Sequence, residues 1–182
     1  HYPLRRQRQM CIRDRFTKDL IEIKKFFKKH KKIIIKPIHS YGGNDINLIS
    51  GKFNLLKIKK ILKKHGHIMC QKFLNKIKFG DKRVFIINGK VCGAISRVPK
   101  SGSILSNMSK GAKPKIAFLS NKELKVSNII AKKIKKDGIY FAGIDFIDGK
   151  LNGDINVTSP TGIKTYFDLS QINLAKTFWK GL

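Results

Sequence analysis

The sequence predicts an α+β fold of antiparallel hairpins with helices packed on them, and three observations carry that prediction. Short β-rich runs are joined by Asn88-Gly89 and Asp148-Gly149, dipeptides suited to two-residue turns with positive φ. Other segments carry apolar residues at helical spacing with lysines on the outward positions. Hairpins and helices alternate without the regular strand-helix-strand order of a doubly wound parallel sheet.

Taken in order, Leu20, Ile23, Phe26 and Phe27 give an amphipathic helix, read from Phe16 and ending near His30. Ile33-Ile34-Ile35-Lys36 is a β-branched strand that stops at Pro37, and Ser40-Tyr41-Gly42-Gly43 is a tight loop before a strand from Asp45 to Ile49. Phe53, Leu55, Leu56, Ile58, Ile61 and Leu62 make the next helix, closed by Gly66. A strand from Ile68 to Phe73 follows, then strands at 83–87 and 90–96 around Asn88-Gly89. Residues 98–115, with two prolines and two glycines, read as a long polar loop, a length usually tied to function. Ser120 and Glu123 form a capping box for a helix to Lys136. Strands at 139–147 and 151–157 bracket Asp148-Gly149, and a final helix from Asp168 is expected to bury Leu169, Ile172, Leu174 and Phe178.

The 182 residues suffice for one well-cored domain or a compact domain with an appendage. The charge is extreme, 40 Lys+Arg against 11 Asp+Glu for a formal +29. The lysines fall in pairs on the outer faces of the expected helices, which is a solvated-surface pattern. After residue 15 only Arg83 and Arg97 could supply the guanidinium forks that read phosphates and base edges. A basic nucleic-acid-binding protein therefore rests on lysine charge alone, which gives salt-sensitive binding without sequence preference. Cys11, Cys70 and Cys92 are too scattered for a disulfide framework or a metal cluster, so a reducing cytoplasm is expected. No apolar run approaches the ~20 residues of a membrane span, and no membrane partner is expected. Residues 1–15 hold Arg5, Arg6, Arg8, Arg13 and Arg15 and no lysine. Such a break is expected of a segment foreign to the rest, with a basic targeting peptide as the alternative, and residues 1–15 are set aside from the fold.

The candidate chemistry centres on Asp145 and on Asp154-Ile155-Asn156. Alternation along a strand points Asp154 and Asn156 one way and Ile155 and Val157 to the core, while the hairpin returns Asp145 nearby. Two carboxylates and an amide oxygen are the hard ligands that magnesium takes; surface acids paired with lysines are the plainer alternative. Lys36 at a strand end suits a phosphate or simply snorkels. Ser40, Tyr41, Gly42 and Gly43 could turn backbone N–H groups toward phosphate. Arg83 and Arg97 suit phosphoryl or carboxylate oxygens, or else are structural ion-pair partners.

The run Gly143-Ile144-Asp145, then Asp154-Ile155-Asn156-Val157-Thr158-Ser159-Pro160-Thr161-Gly162-Ile163, resembles the C-terminal signature of bacterial glutathione synthetase, an ATP-grasp ligase family. The likeness extends to Ile35-Lys36-Pro37, Gln71 to Leu74, Gly80 to Val84, Ala94 to Pro99, and Ser106-Asn107 with Gly111. It implies an ATP-grasp fold over 16–182, with a subdomain at 16–74 carrying the phosphate loop and hinge and one at 75–182 carrying the metal site. It also implies that an N-terminal substrate domain is missing and the enzyme truncated. The implied reaction joins γ-glutamylcysteine to glycine through an acyl phosphate, using ATP and Mg2+ or Mn2+. Lys36 and Ser40 to Gly43 would meet phosphates, and Gln71, Lys72, Phe73 and Leu74 the adenine, with Asp81 near the nucleotide. Arg83 and Arg97 would be the catalytic arginines, Asn107 and Gly111 part of a closing loop, and Ser159 and Thr161 substrate contacts. Asp145, Asp154 and Asn156 would bind the metal. Another ATP-grasp carboxylate-amine ligase is the nearest alternative. Homo-oligomerisation stays open. The chain departs from the family pattern at Asp154, where a glutamate is expected, in the interval from Asp145 to Asp154, one residue longer, and at Ser40, where a glycine is expected. A bulge at Gly153 would absorb the added residue.

Overall fold

The computed structural model describes residues 14–39 and 43–181, and residues 152–154 by their backbone only. Ser40, Tyr41, Gly42 and the side chain of Asp154 lie outside the described residues, as do residues 1–13. The chain divides between Leu74 and Asn75 into two compact units.

The first unit is a four-stranded antiparallel sheet in the order β1-β4-β2-β3, from β1 (Asp14–Thr17), β2 (Lys32–Pro37), β3 (Asn47–Ser50) and β4 (Ile68–Lys72). Helices α1 (Leu20–His30) and α2 (Leu55–His65) cover one face. Alternation decides which residues go inward: Ile33, Ile35, Ile68 and Cys70 meet Ile23, Phe27, Ile58 and Ile61 in one core. Lys36 and Gln71 stand on the other face, because Ile34 pairs with Gln71 and Lys36 with Met69. Two expectations change here. Asp14 and Arg15 were set aside with the arginine-rich segment, yet they form the first half of β1 and pair with β4. Phe16 is strand, not helix; α1 starts at Leu20 because the Asp19 side chain caps the Ile21 N–H at 2.7 Å.

The second unit is a five-stranded antiparallel sheet in the order β7-β6-β5-β8-β9. Its strands are β5 (Asp81–Ile87), β6 (Lys90–Val98), β7 (Lys113–Ile116), β8 (Phe141–Ile147) and β9 (Lys150–Asn156). Both expected hairpin turns form, with positive φ at Asn88, Gly89, Asp148 and Gly149. Helix α3 (Asn121–Lys136) packs Ile130, Ala131 and Ile134 on Val84, Ile86, Ala142 and Ile144. Phe85, Ile87 and Ile95, on the opposite face, lie under Tyr166 of α4 (Ile163–Ser170) and Leu174 of α5 (Leu174–Trp179). A Cβ at Gly93 would come within 2.5 Å of the Tyr166 ring, so glycine there lets α4 dock.

The long loop is not all loop, since residues 113–116 add β7 to the edge of β6. The final helix is two helices. Gln171 takes φ +61 at the end of α4 and Asn173 caps α5, which leaves Leu169 and Ile172 exposed while Leu174 is buried. Val157, expected inside, lies past the end of β9 and is exposed, whereas Ile155 packs on the α3 core.

The α3 terminus carries the expected capping box: Ser120 N–H donates to Glu123 at 2.8 Å, and Glu123 N–H donates to Ser120 Oγ. Lys82 on β5 donates to the same buried Glu123 at 2.8 Å. Burial alone would lift the Glu123 pKa, but the Lys82 ammonium and the Ser120 donors outweigh it and hold it low. Farther along α3, Ser127 Oγ is fully buried without a hydrogen-bond partner. The two serines should respond oppositely to alanine. Ser120→Ala is expected to lower unfolding free energy by about 1 kcal/mol, whereas Ser127→Ala is expected to leave it unchanged or raise it by up to ~1 kcal/mol, both read by urea titration.

Candidate active site

The face of the second sheet that carries Phe85 and Ile95 also carries Asp81 and Arg83 of β5, Arg97 of β6 and Asp145 of β8, because these positions alternate with the residues facing α3. The register sets Asp81 opposite Arg97 and Arg83 opposite Asp145. All four side chains are at least 90 % buried. Gly80 leads the chain into this cluster at φ +100, where an added Cβ would meet the Arg97 carbonyl at 2.8 Å.

The side chains form one network. Arg83 clasps Asp145 in bidentate fashion, Nε to Oδ1 and Nη2 to Oδ2, both at 2.8 Å. Arg97 bridges the two acids, donating to Asp81 through Nε at 2.8 Å and through Nη2, and to Asp145 Oδ2 at 2.9 Å. Ser106 Oγ donates to Asp81 at 2.6 Å. Arg83 Nη1 reaches Thr161 Oγ1 at 3.4 Å. Two guanidiniums and two carboxylates leave the cluster with no net charge.

The two acids titrate in opposite directions. Burial pushes Asp145 up, but the two guanidiniums beside it outweigh this and hold its pKa below the usual carboxylate range. For Asp81 burial wins: Arg97 and Ser106 recover only part of the desolvation, the Asp145 charge adds to it, and the pKa is raised. Arg97, although burial alone would lower it, is raised by its two carboxylate partners and stays charged.

Asp145 and Asn156 share this face, since Asn156 pairs with Gly143 two residues along β8. The register breaks between Ile144 and Phe146, so that residues 152–154 of β9 stand opposite Asp145 alone. The irregularity thus falls on the stretch that holds the added residue. Asn156 Oδ1 accepts from the backbone N–H groups of Thr158 at 3.2 Å and Ser159 at 3.0 Å. Carboxylate and amide oxygens have the ligand chemistry of a hard divalent cation. A cation there must compete with Arg83 and Arg97 for Asp145 lone pairs. Among the described residues no group of three or more His, Cys, Asp or Glu is placed to hold a metal ion.

Lys36 is half-buried on β2, and Gln71 on the same sheet face is buried and donates to Asp14 at 2.7 Å. Lys72 is exposed, Lys32 lies 4.1 Å from the centre of the Phe73 ring, and Leu74 ends the first unit. Gly43 has φ +78. Asn107 and Gly111 (φ +85) bracket a short helical turn at Met108–Lys110. Ser159 and Thr161 are exposed. Ser106 and Asp14 were not singled out for their contacts to Asp81 and Gln71, because a hydroxyl in a loop and an acid in a set-aside segment carry no periodic signal.

Solved structures match the chain at the level of fold. The ATP-grasp ligase PsnB, determined with Mg, ADP and a phosphomimetic variant of its minimal precursor, superposes with a TM-score of 0.69 at 16% identity over 93% of this chain and 51% of PsnB. D-alanine--D-alanine ligase from Bacillus anthracis gives 0.54 at 12% identity, covering 79% of this chain and 49% of that one. The chain belongs to the prokaryotic glutathione synthetase ATP-grasp domain family, whose model matches residues 6–171. Glutathione synthetase of Bradyrhizobium diazoefficiens is 33% identical over 171 residues, 90% of this chain and 52% of that protein. The Buchnera aphidicola (Acyrthosiphon pisum) glutathione synthetase is 36% identical over 151 residues, 81% of this chain and 47% of that protein. The chain spans about half the length of these relatives. Among the described residues no helix is long and apolar enough to cross a membrane.

The opposed shifts of the two acids have a readable consequence. The stability that Asp145 contributes is present above about pH 4 and lost as pH falls through its lowered value; the cost of charged Asp81 is relieved as pH falls toward about 4. In urea midpoints measured against pH, Asp81→Asn should remove a gain on going from neutral pH to about 4, and Asp145→Asn should remove part of the loss below about 4.

Proposed function

We propose that this chain is the nucleotide- and metal-binding portion of a glutathione synthetase, acting on γ-glutamylcysteine, glycine and ATP in the cytoplasm. The observation that carries the reading is the gathering of Arg83, Arg97, Asp81, Asp145 and the Asn156 amide on one sheet face, in a chain of this family. ATP phosphorylates the carboxylate of γ-glutamylcysteine, releasing ADP. The amine of glycine attacks the acyl phosphate, the amide bond forms, and phosphate leaves. Arg83 and Arg97 orient the transferring phosphoryl group and the acyl phosphate through their forked donors, so catalysis is positioning and charge compensation.

Asp145, Asp154 and Asn156 would hold Mg2+ or Mn2+, which when bound would neutralise phosphate charge. Asp81, kept by Ser106, fixes the direction of the Arg97 fork. In the first unit Lys36 and Ser40 to Gly43 contact phosphates, and Gln71 to Leu74 receive the adenine. Asn107 and Gly111 belong to the loop that shields the reaction, and Ser159 and Thr161 contact the peptide substrate.

Thermal unfolding with Mg2+ and ATP tests binding. Stabilisation should grow with ligand concentration, reaching about 2.7 kcal/mol at a hundred times the dissociation constant, and Arg97→Met should abolish it. ADP release by the chain extended to the length of its relatives tests the reaction. Release that needs γ-glutamylcysteine and glycine together is expected, and release indifferent to them would contradict the assignment.

A further inference from the structure

The four-residue network poses a question of charge that the proposed reaction leaves open. A phosphate approaching Arg83 and Arg97 meets guanidiniums already neutralised by Asp81 and Asp145, and a divalent cation approaching Asp145 meets a carboxylate already accepting three guanidinium hydrogen bonds. Neither ligand gains much by itself, because each must break a buried ion pair and leave a charge uncompensated at low dielectric. Bound together they exchange partners, the cation taking Asp145 and the phosphate taking the released guanidinium. The buried charge stays compensated throughout.

The two arginines do not share the exchange equally. Arg97 has a second partner, because Asp81 accepts from its Nε and Nη2 and is itself held by Ser106. Losing Asp145 costs Arg97 one of three contacts. Among the described residues Arg83 has no second acid; its further contacts are to Thr161 at 3.4 to 3.5 Å, near the limit of a hydrogen bond. Losing Asp145 therefore leaves Arg83 as the guanidinium that must find an anion.

We infer that the Asp145–Arg83 pair is a charge-exchange latch, in which a divalent cation gains Asp145 only as a phosphate-type anion takes Arg83, with the Asp81–Arg97 pair as the fixed frame. This rests on the nucleotide-site reading above and adds to it an obligatory coupling and the residue that carries it.

The test uses the whole chain with two simple probes: Mn2+ followed by electron paramagnetic resonance, and inorganic triphosphate followed by calorimetry. The latch predicts that Arg83→Gln, which leaves Asp145 only its Arg97 contact, binds Mn2+ alone on the order of tenfold more tightly than the unaltered chain. Asp145→Asn, which frees Arg83, should bind triphosphate alone more tightly by a similar factor. Each substitution removes a group of the site and yet strengthens one ligand, which no simple positioning role does. The unaltered chain gives a reading that does not depend on the variants folding. The Arg83 Nε–H resonance, held by Asp145, should stay in place under Mg2+ alone and under triphosphate alone, and move when both are present. Unchanged or weaker Mn2+ binding by folded Arg83→Gln, or an Nε–H signal that moves under Mg2+ alone, would overturn the latch while Mg2+-dependent ADP binding by the unaltered chain left the nucleotide-site reading standing. Failure of that chain to bind Mg2+ and ADP at all would overturn both.

Discussion

Four charges buried on one sheet face constrain most of the second unit. Removing one partner from such a cluster leaves an uncompensated charge out of water, a penalty of about 3–5 kcal/mol, so the strands that carry the four must keep their register. Between β5 and β6 that register comes from the Asn88-Gly89 hairpin together with the irregularity between Phe85 and Ile86, which shifts the pairing by one residue and sets Asp81 opposite Arg97; for Asp145 it comes from the pairing of β5 with β8. The apolar residues alternating with the four face α3, so the interlock that holds the helix also aims the charges. Gly80 and Ser106 complete the frame, the first by admitting the Arg97 backbone and the second by fixing Asp81.

Such a cluster is costly as a stability device, since a well-packed apolar replacement of similar volume is often as stable or more so. Its presence fits a role in binding charged ligands. The fold supplies matched donors and acceptors, and ligands of opposite sign can substitute for either set. The family match supports phosphate and a divalent cation as those ligands.

Much of this was legible in the sequence where a local rule governs. The Asn-Gly and Asp-Gly turns, the Ser120–Glu123 box and the Gly66 helix end depend on a few adjacent residues, and the structure has all of them. Arg83 and Arg97 were legible as candidates because they are the only arginines after residue 15, and Asp145 because the hairpin returns it toward Asp154 and Asn156. What they do to one another was not, because the pairing of Arg83 with Asp145 joins residues far apart in the chain through a strand order that no local pattern encodes. The edge strand β7 was hidden by its proline and lysines, which suit an exposed edge and read as loop. The break between α4 and α5 was missed because Leu169, Ile172 and Leu174 fit a helical stripe, while the positive φ at Gln171 carries no glycine to announce it.

A structure of the chain determined with Mg2+ and ADP tests the central claim most directly. The account predicts the Asp145 carboxylate on the metal ion and the Arg83 guanidinium turned from Asp145 onto a phosphate, with Arg97 still paired to Asp81. A nucleotide bound elsewhere, or bound while Arg83 keeps its bidentate grip on Asp145, would contradict it.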